Sequence, residues 1–105
     1  MNKIISYLGF AFKSNNCITG QTALKKNKKQ LFLILVCDSA SDNLKNLAKN
    51  LANKHNCVFI ISKTPLKDLI KFEDIKILGL TDENLSKAII NQYHNKETIN
   101  IDKRN

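Results

Sequence analysis

Two uninterrupted apolar runs set the main constraint on how this chain folds. Leu31–Cys37 (LFLILVC) and Cys57–Ile61 (CVFII) leave no alternate position for water, so each predicts a strand covered on both faces. Ile75–Leu80 (IKILGL) predicts a third main strand. A sheet buried on both faces needs helices to cover it, and the intervening segments have the right period. Leu44, Leu47, Ala48, Leu51 and Ala52 recur at i, i+3, i+4, i+7 and i+8. Met1–Lys13 reads as a helix with Ile4, Ile5, Leu8 and Phe12 on one face, and its small Gly9 and Ala11 allow close packing. Thr64-Pro65 pairs an N-cap with proline at the first helical position, opening a short helix to about Lys71 with Leu66, Leu69 and Ile70 inward. Thr81-Asp82-Glu83 caps a last helix and puts acids in its first turn, with Leu85, Ala88, Ile89 and Gln92 along one side.

The shorter pieces complete the order. Ser14–Asn16 ends the first helix, and Cys17-Ile18-Thr19 is a very short strand stopping at Gly20. Gln21–Asn27 has room for one or two helical turns, and Asp38–Ser41 is a polar loop with capping residues. Helices and strands therefore alternate from end to end, which predicts an α/β fold with a central sheet between two helical layers. At 105 residues the chain has the length of one domain. We place that domain at residues 1–94, with a polar tail over 95–105 that frays from His94 onward.

Charge is distributed unevenly. The formal net charge is +8, yet residues 1–37 hold six lysines and no acid, so +6 of it lies in that part of the chain. Four of the six are Lys25, Lys26, Lys28 and Lys29. A one-sided basic patch favours polyanionic partners, nucleic acid first. Part of the lysine content has a plainer source: 16 Lys, 14 Asn and 13 Ile all come from A/T-rich codons. Sixteen of the seventeen basic residues are Lys, which act as point charges, whereas bidentate readout favours Arg.

Other classes are weakly supported. The phosphate-binding glycine loops GxGxxG and GxxxxGK[ST] and the nucleophile elbow GxSxG are all missing. Cys37-Asp38-Ser39 stands at a strand's C-terminal end, where α/β sheets carry their sites, but no base accompanies it and a turn cap accounts for it better. Glu73-Asp74 reads as a solvated turn. We expect a non-enzyme. Cys17, Cys37 and Cys57 form no C-x-x-C pair, and His55 and His94 do not complete a zinc set, so the thiols read as small buried side chains in a reducing cytoplasm and no metal or cofactor is expected. No run approaches the ~18 apolar residues of a membrane span.

The candidate site is the basic turn and helix. A helix opening after a glycine presents free N–H groups to a phosphate, and Lys13, Lys25, Lys26, Lys28 and Lys29 could flank the Thr19-Gly20 turn. There is no Trp, and most Phe fall in buried segments, so an aromatic stacking platform is not expected and recognition would be of backbone shape.

YLGFAFKSNNCITG (Tyr7–Gly20), LFLILVCDSASDN (Leu31–Asn43), FIISKTPL (Phe59–Leu66) and ILGLTDENLSKAI (Ile77–Ile89), in this order and spacing, resemble the YlxQ-like branch of the L-seven-Ae ribosomal protein family. The resemblance covers roughly residues 3–92. It implies a three-layer α/β/α sandwich on a mixed four-stranded sheet, and binding of kink-turn RNA. It matches Gly20 to the glycine of the family's G-x-N-E-x-x-K segment, Lys26 to its lysine, and Ser62-Lys63 to a Ser-Lys at the end of a strand. Gln21, Thr22, Lys25, Lys28, Lys29 and Lys63 join Gly20 and Lys26 in the implied RNA-facing set. The departures are specific. Thr22 and Ala23 stand where the family has Asn-Glu, the stretch from Gly20 to Leu31 is about one helical turn shorter, the L-G-x-A-x-G segment is Leu66–Lys71 without glycine, and the contact loop is Phe72-Glu73-Asp74-Ile75 with two acids.

The expectation is thus a non-catalytic, cytoplasmic RNA-binding protein, taking ribosomal or other structured RNA such as a kink-turn. The alternative is a protein-interaction module that kept the fold and lost the RNA grip, with a ribosomal or other protein as its partner.

Overall fold

The computed structural model describes residues 3–63 and 75–96. The helix expected from Thr64 to Lys71, the Phe72–Asp74 loop and the tail from residue 97 lie outside the described residues.

The elements run α1 (Lys3–Lys13), β1 (Cys17–Thr19), α2 (Gln21–Lys26), β2 (Leu33–Cys37), α3 (Asp42–His55), β3 (Val58–Ser62), β4 (Ile77–Leu80) and α4 (Glu83–Lys96). The four strands form one mixed sheet in the order β1-β4-β2-β3. β4 runs antiparallel to both β1 and β2, and β2 and β3 are parallel. The fold class is the expected α/β. Leu31 and Phe32 lie ahead of β2 rather than in it, and Cys57 ahead of β3.

Strand register separates the two helical layers. Ile18, Gly79, Ile34 and Phe59 stand side by side across the sheet. An added Cβ on Gly79 would meet Leu24 of α2, so this row faces α2, and α3 packs beside it on β2 and β3. Cys37 and Ser62 are paired and lie an odd number of residues from Ile34 and Phe59, so they face the other way. There the Tyr93 hydroxyl of α4 donates to Ser62 Oγ at 3.1 Å, and α1 packs against α4. β2 is buried at all five positions, as its uninterrupted apolar run requires.

The helix ends follow their sequence signals. Ser41 caps α3, its side chain accepting from the Leu44 N–H at 3.2 Å, and left-handed Asn56 closes that helix. Asp82 Oδ1 accepts from the Leu85 N–H at 3.0 Å at the start of α4. Two expectations need correcting. The buried face of α1 is Ile4, Leu8 and Ala11, while Ile5 and Phe12 are exposed at 38% and 39%. The second correction concerns α4, which continues through His94 to Lys96 and buries Ser86 and Tyr93 along with Ile89.

Candidate nucleic-acid interface

The candidate surface starts at Gly20. The chain leaves β1 with Gly20 at φ 88° and ψ 153°, a conformation essentially restricted to glycine. Its N–H donates to the Ile77 carbonyl at 3.0 Å, which fixes the turn against β4. α2 follows with no side-chain cap on its first turn, and Gln21 and Thr22 are exposed there. Leu24 is the helix's buried anchor, so Lys25 and Lys26 are left outward in the last turn, where cations complement the helix dipole.

The segment after α2 is held at both ends. The Asn27 side chain accepts from the Lys29 N–H at 3.0 Å and donates to the Lys29 carbonyl at 2.8 Å. Gln30 Nε2 donates to the His55 carbonyl at 2.7 Å, and the Leu31 N–H donates to His55 Nδ1 at 3.2 Å. Burial and the neighbouring Lys54 charge hold the His55 pKa below its ordinary value, which keeps Nδ1 free to accept. Lys28 and Lys29 therefore sit on a tethered loop rather than a loose one. Asn27, Gln30 and His55 do this tethering and were not foreseen. The Asn-x-Lys spacing of an Asx-type turn was the only sequence signal for any of them.

The expected site residues form a band and do not converge on one point. Gly20 lies at the end of the sheet where β2 and β3 finish, because Ile77 pairs with Val36 and Val36 with Ile61. α2 runs from there toward the opposite end, where the Phe32 N–H bonds the Leu80 carbonyl. Lys25, Lys26, Lys28 and Lys29 are all exposed along this path. Lys63 is at the same end as Gly20, but it follows the other edge strand, three strand spacings or about 14 Å away. Lys13 does not flank the turn. α1 lies on the α4 side and ends near Asn16, whose carbonyl takes the Thr81 N–H at the far end of β1.

The electrostatic character of the band is simple. Among the described residues the ion pairs are Lys45–Asp38 at 3.8 Å and Lys87–Glu83 at 3.5 Å. None of the four lysines from 25 to 29 has a carboxylate partner among those residues. Elsewhere, burial pushes the Cys17 thiol up to about 12 and the Cys57 thiol up to about 11, which makes both poor nucleophiles and poor ligands as they stand. Among the described residues no group of three or more His, Cys, Asp or Glu side chains is placed to hold a metal ion. Nor is any described helix long and apolar enough to cross a membrane.

No family model matches the sequence, and no curated protein matches it. The fold does have a solved counterpart. A Bacillus halodurans protein of unknown function superposes with a TM-score of 0.74 at 17% identity, over 90% of this chain and 99% of that one. At that identity the likeness concerns the fold alone, and it supports the α/β architecture described above.

Proposed function

We propose that this chain is a non-catalytic RNA-binding protein, ribosome-associated or bound to another structured RNA in the cytoplasm, that grips the backbone through the Gly20 turn and the lysines of α2 and its following loop. One observation carries the reading: Lys25, Lys26, Lys28 and Lys29 are exposed, uncompensated by carboxylates among the described residues, and presented on a backbone tethered at Gly20, Asn27 and Gln30. Four like charges within five residues, without counter-charges among the described residues, repel one another, and a phosphate chain relieves that repulsion. A tethered backbone also loses less freedom on binding. The resemblance to the kink-turn-binding ribosomal proteins adds the expected shape of the RNA, a sharply bent duplex. Lys63, across the sheet end from Gly20, extends the same charged rim.

The test is a titration of the pure protein against a labelled kink-turn RNA and an unbent duplex at two salt concentrations. The expected result is a preference for the kink-turn that persists at the higher salt. Changing Lys25, Lys26, Lys28 and Lys29 together to Gln should flatten the salt dependence, since each phosphate contact contributes about 0.7–0.9 to the log–log slope. Unchanged affinity in that variant would remove the assignment.

A second reading rests on α1, where Ile5, Phe10 and Phe12 are exposed, Phe10 at 60%. Large apolar side chains in water favour a protein contact. On that reading the chain is an interaction module, and its RNA binding would be no stronger than its net charge alone produces.

A further inference from the structure

β3 forms one edge of the sheet, because the strand order is β1-β4-β2-β3. Its pairing with β2 decides which of its backbone groups are used. The Ser62 carbonyl accepts from the Asp38 N–H at 2.9 Å, and Ser62 stands in parallel register with Cys37. Alternation along the strand turns the N–H and C=O of Val58, Ile60 and Ser62 toward β2 and those of Phe59 and Ile61 outward. Among the described residues nothing bonds these four outward groups. Edge strands are usually kept from pairing by a charge, a proline or a bulge, or by being very short. β1, at the opposite edge, has three residues. β3 has five, VFIIS, with no charge and no proline among them, and Val58 and Ile61 are half-buried on opposite faces.

We infer that a second copy of this chain adds its own β3 to this edge, antiparallel across a twofold axis at Ile60, to make one continuous sheet. In that register Phe59 and the second copy's Ile61 exchange both N–H···O=C bonds, Ile61 and the second copy's Phe59 do the same, and the two Ile60 residues form the non-hydrogen-bonded pair between them. All four outward groups of each chain are used and none is left over. Phe59 then lies beside Ile61, an aromatic against a β-branched side chain, and Val58 lies beside Ser62. Lys63 falls opposite Cys57, so the strand pair brings no like charges face to face. An uncharged strand has nothing to select an oppositely charged partner, and its outward groups are symmetric about Ile60, as a twofold contact requires. Such a contact closes at two copies. α2 packs on β1 and β4, at the other end of the strand order, so pairing leaves both basic surfaces open and does not depend on what they bind.

The experiment follows the full chain by sedimentation velocity and by amide hydrogen exchange in NMR. Protein is raised from about 10 μM to about 500 μM, a range that suits a small interface. Salt is held at about 0.5 M to screen the net charge of +8. The expected result is a monomer at the low end and a growing dimer fraction at the high end. The Phe59 and Ile61 amides should exchange fast in the monomer and at least about tenfold more slowly in the dimer, while the Ile60 amide stays protected throughout. Ile61→Pro removes one outward N–H without breaking a bond to β2, and Ile61→Lys charges the edge. Each variant that circular dichroism shows to be folded should remain monomeric. If neither folds, the exchange of the parent chain decides. A chain that stays monomeric to the highest concentration overturns the inference and leaves the edge to a strand of another protein. A dimer whose Phe59 and Ile61 amides stay fast, or one that persists in folded Ile61→Pro, overturns it too. Slow exchange of both amides in the monomer also overturns it, because the chain's own residues then cover the edge.

Discussion

Gly79 of β4 and Leu24 of α2 touch at a point where a larger residue does not fit: a Cβ on Gly79 would stand 2.9 Å from Leu24 Cδ2 and 3.1 Å from Leu31 Cδ2. Both leucines are fully buried, so neither has open space to move into. This contact sets how closely the basic helix lies on the sheet. Gly79→Val should destabilise the protein by about 1–3 kcal/mol through overpacking, measured by urea denaturation. On the proposed RNA-binding reading, the same substitution should also weaken binding of RNA, because α2 must lift away. Unchanged stability would show that the leucines repack freely.

Gly20→Ala tests the turn itself. Space is not the obstacle there, since an added Cβ meets nothing within 4 Å, but the positive φ is. A cost of about 1–3 kcal/mol is expected for a non-glycine residue held in that region. A variant as stable as the parent would mean that the turn adopts another conformation at no cost.

His55 makes stability depend on pH. Its folded pKa lies below the ordinary histidine value, chiefly because burial disfavours the charged ring and next because Lys54 is adjacent. The unfolded chain therefore binds more protons as pH falls through the ordinary value near 6.5. Stability should be flat above about pH 7.5, decline as the pH drops below about 7, and level off beneath the folded pKa. Protonation also removes the Nδ1 acceptor for the Leu31 N–H. His55→Gln should abolish this slope. A slope that persists in the variant would assign it to other groups.

Burial holds the Cys17 and Cys57 thiols in their protonated form. With pKa values of about 12 and 11, Cys17 and Cys57 carry very little thiolate at pH 8. Alkylation mapped by mass spectrometry should proceed at these sites at least about a hundredfold more slowly in the native protein than after unfolding. Rapid native labelling of Cys57 would contradict the burial described for it.

Legibility in the sequence followed the strength of the local signal. LFLILVC predicts a strand covered on both faces, and the structure covers it on both faces, because an uninterrupted apolar run has no other way to avoid water. α3 had both period and cap. α1 misled, because Ile4/Leu8/Ala11 and Ile5/Leu8/Phe12 are both reasonable helical stripes. The buried one includes the small Ala11, where α1 closes on its neighbours, and close packing is not a hydropathy signal. Tyr93 and Ser86 were missed because their polar groups are satisfied inside. Tyr93 donates to Ser62, and Ser86 Oγ donates to the Asp82 carbonyl at 2.7 Å. At the candidate site the lysine cluster could be read as charge, but the tether formed by Gln30 and His55 joins residues far apart in sequence.

The sheet order also sets a timetable for synthesis. β1 leaves the ribosome early, yet it hydrogen-bonds to β4, and the Gly20 turn is fastened to Ile77. A nascent chain holding only α1, β1 and α2 has its lysines but nothing to mount them on. The basic surface takes its final shape only after Leu80 has emerged, so the lysines are made well before the strand that mounts them.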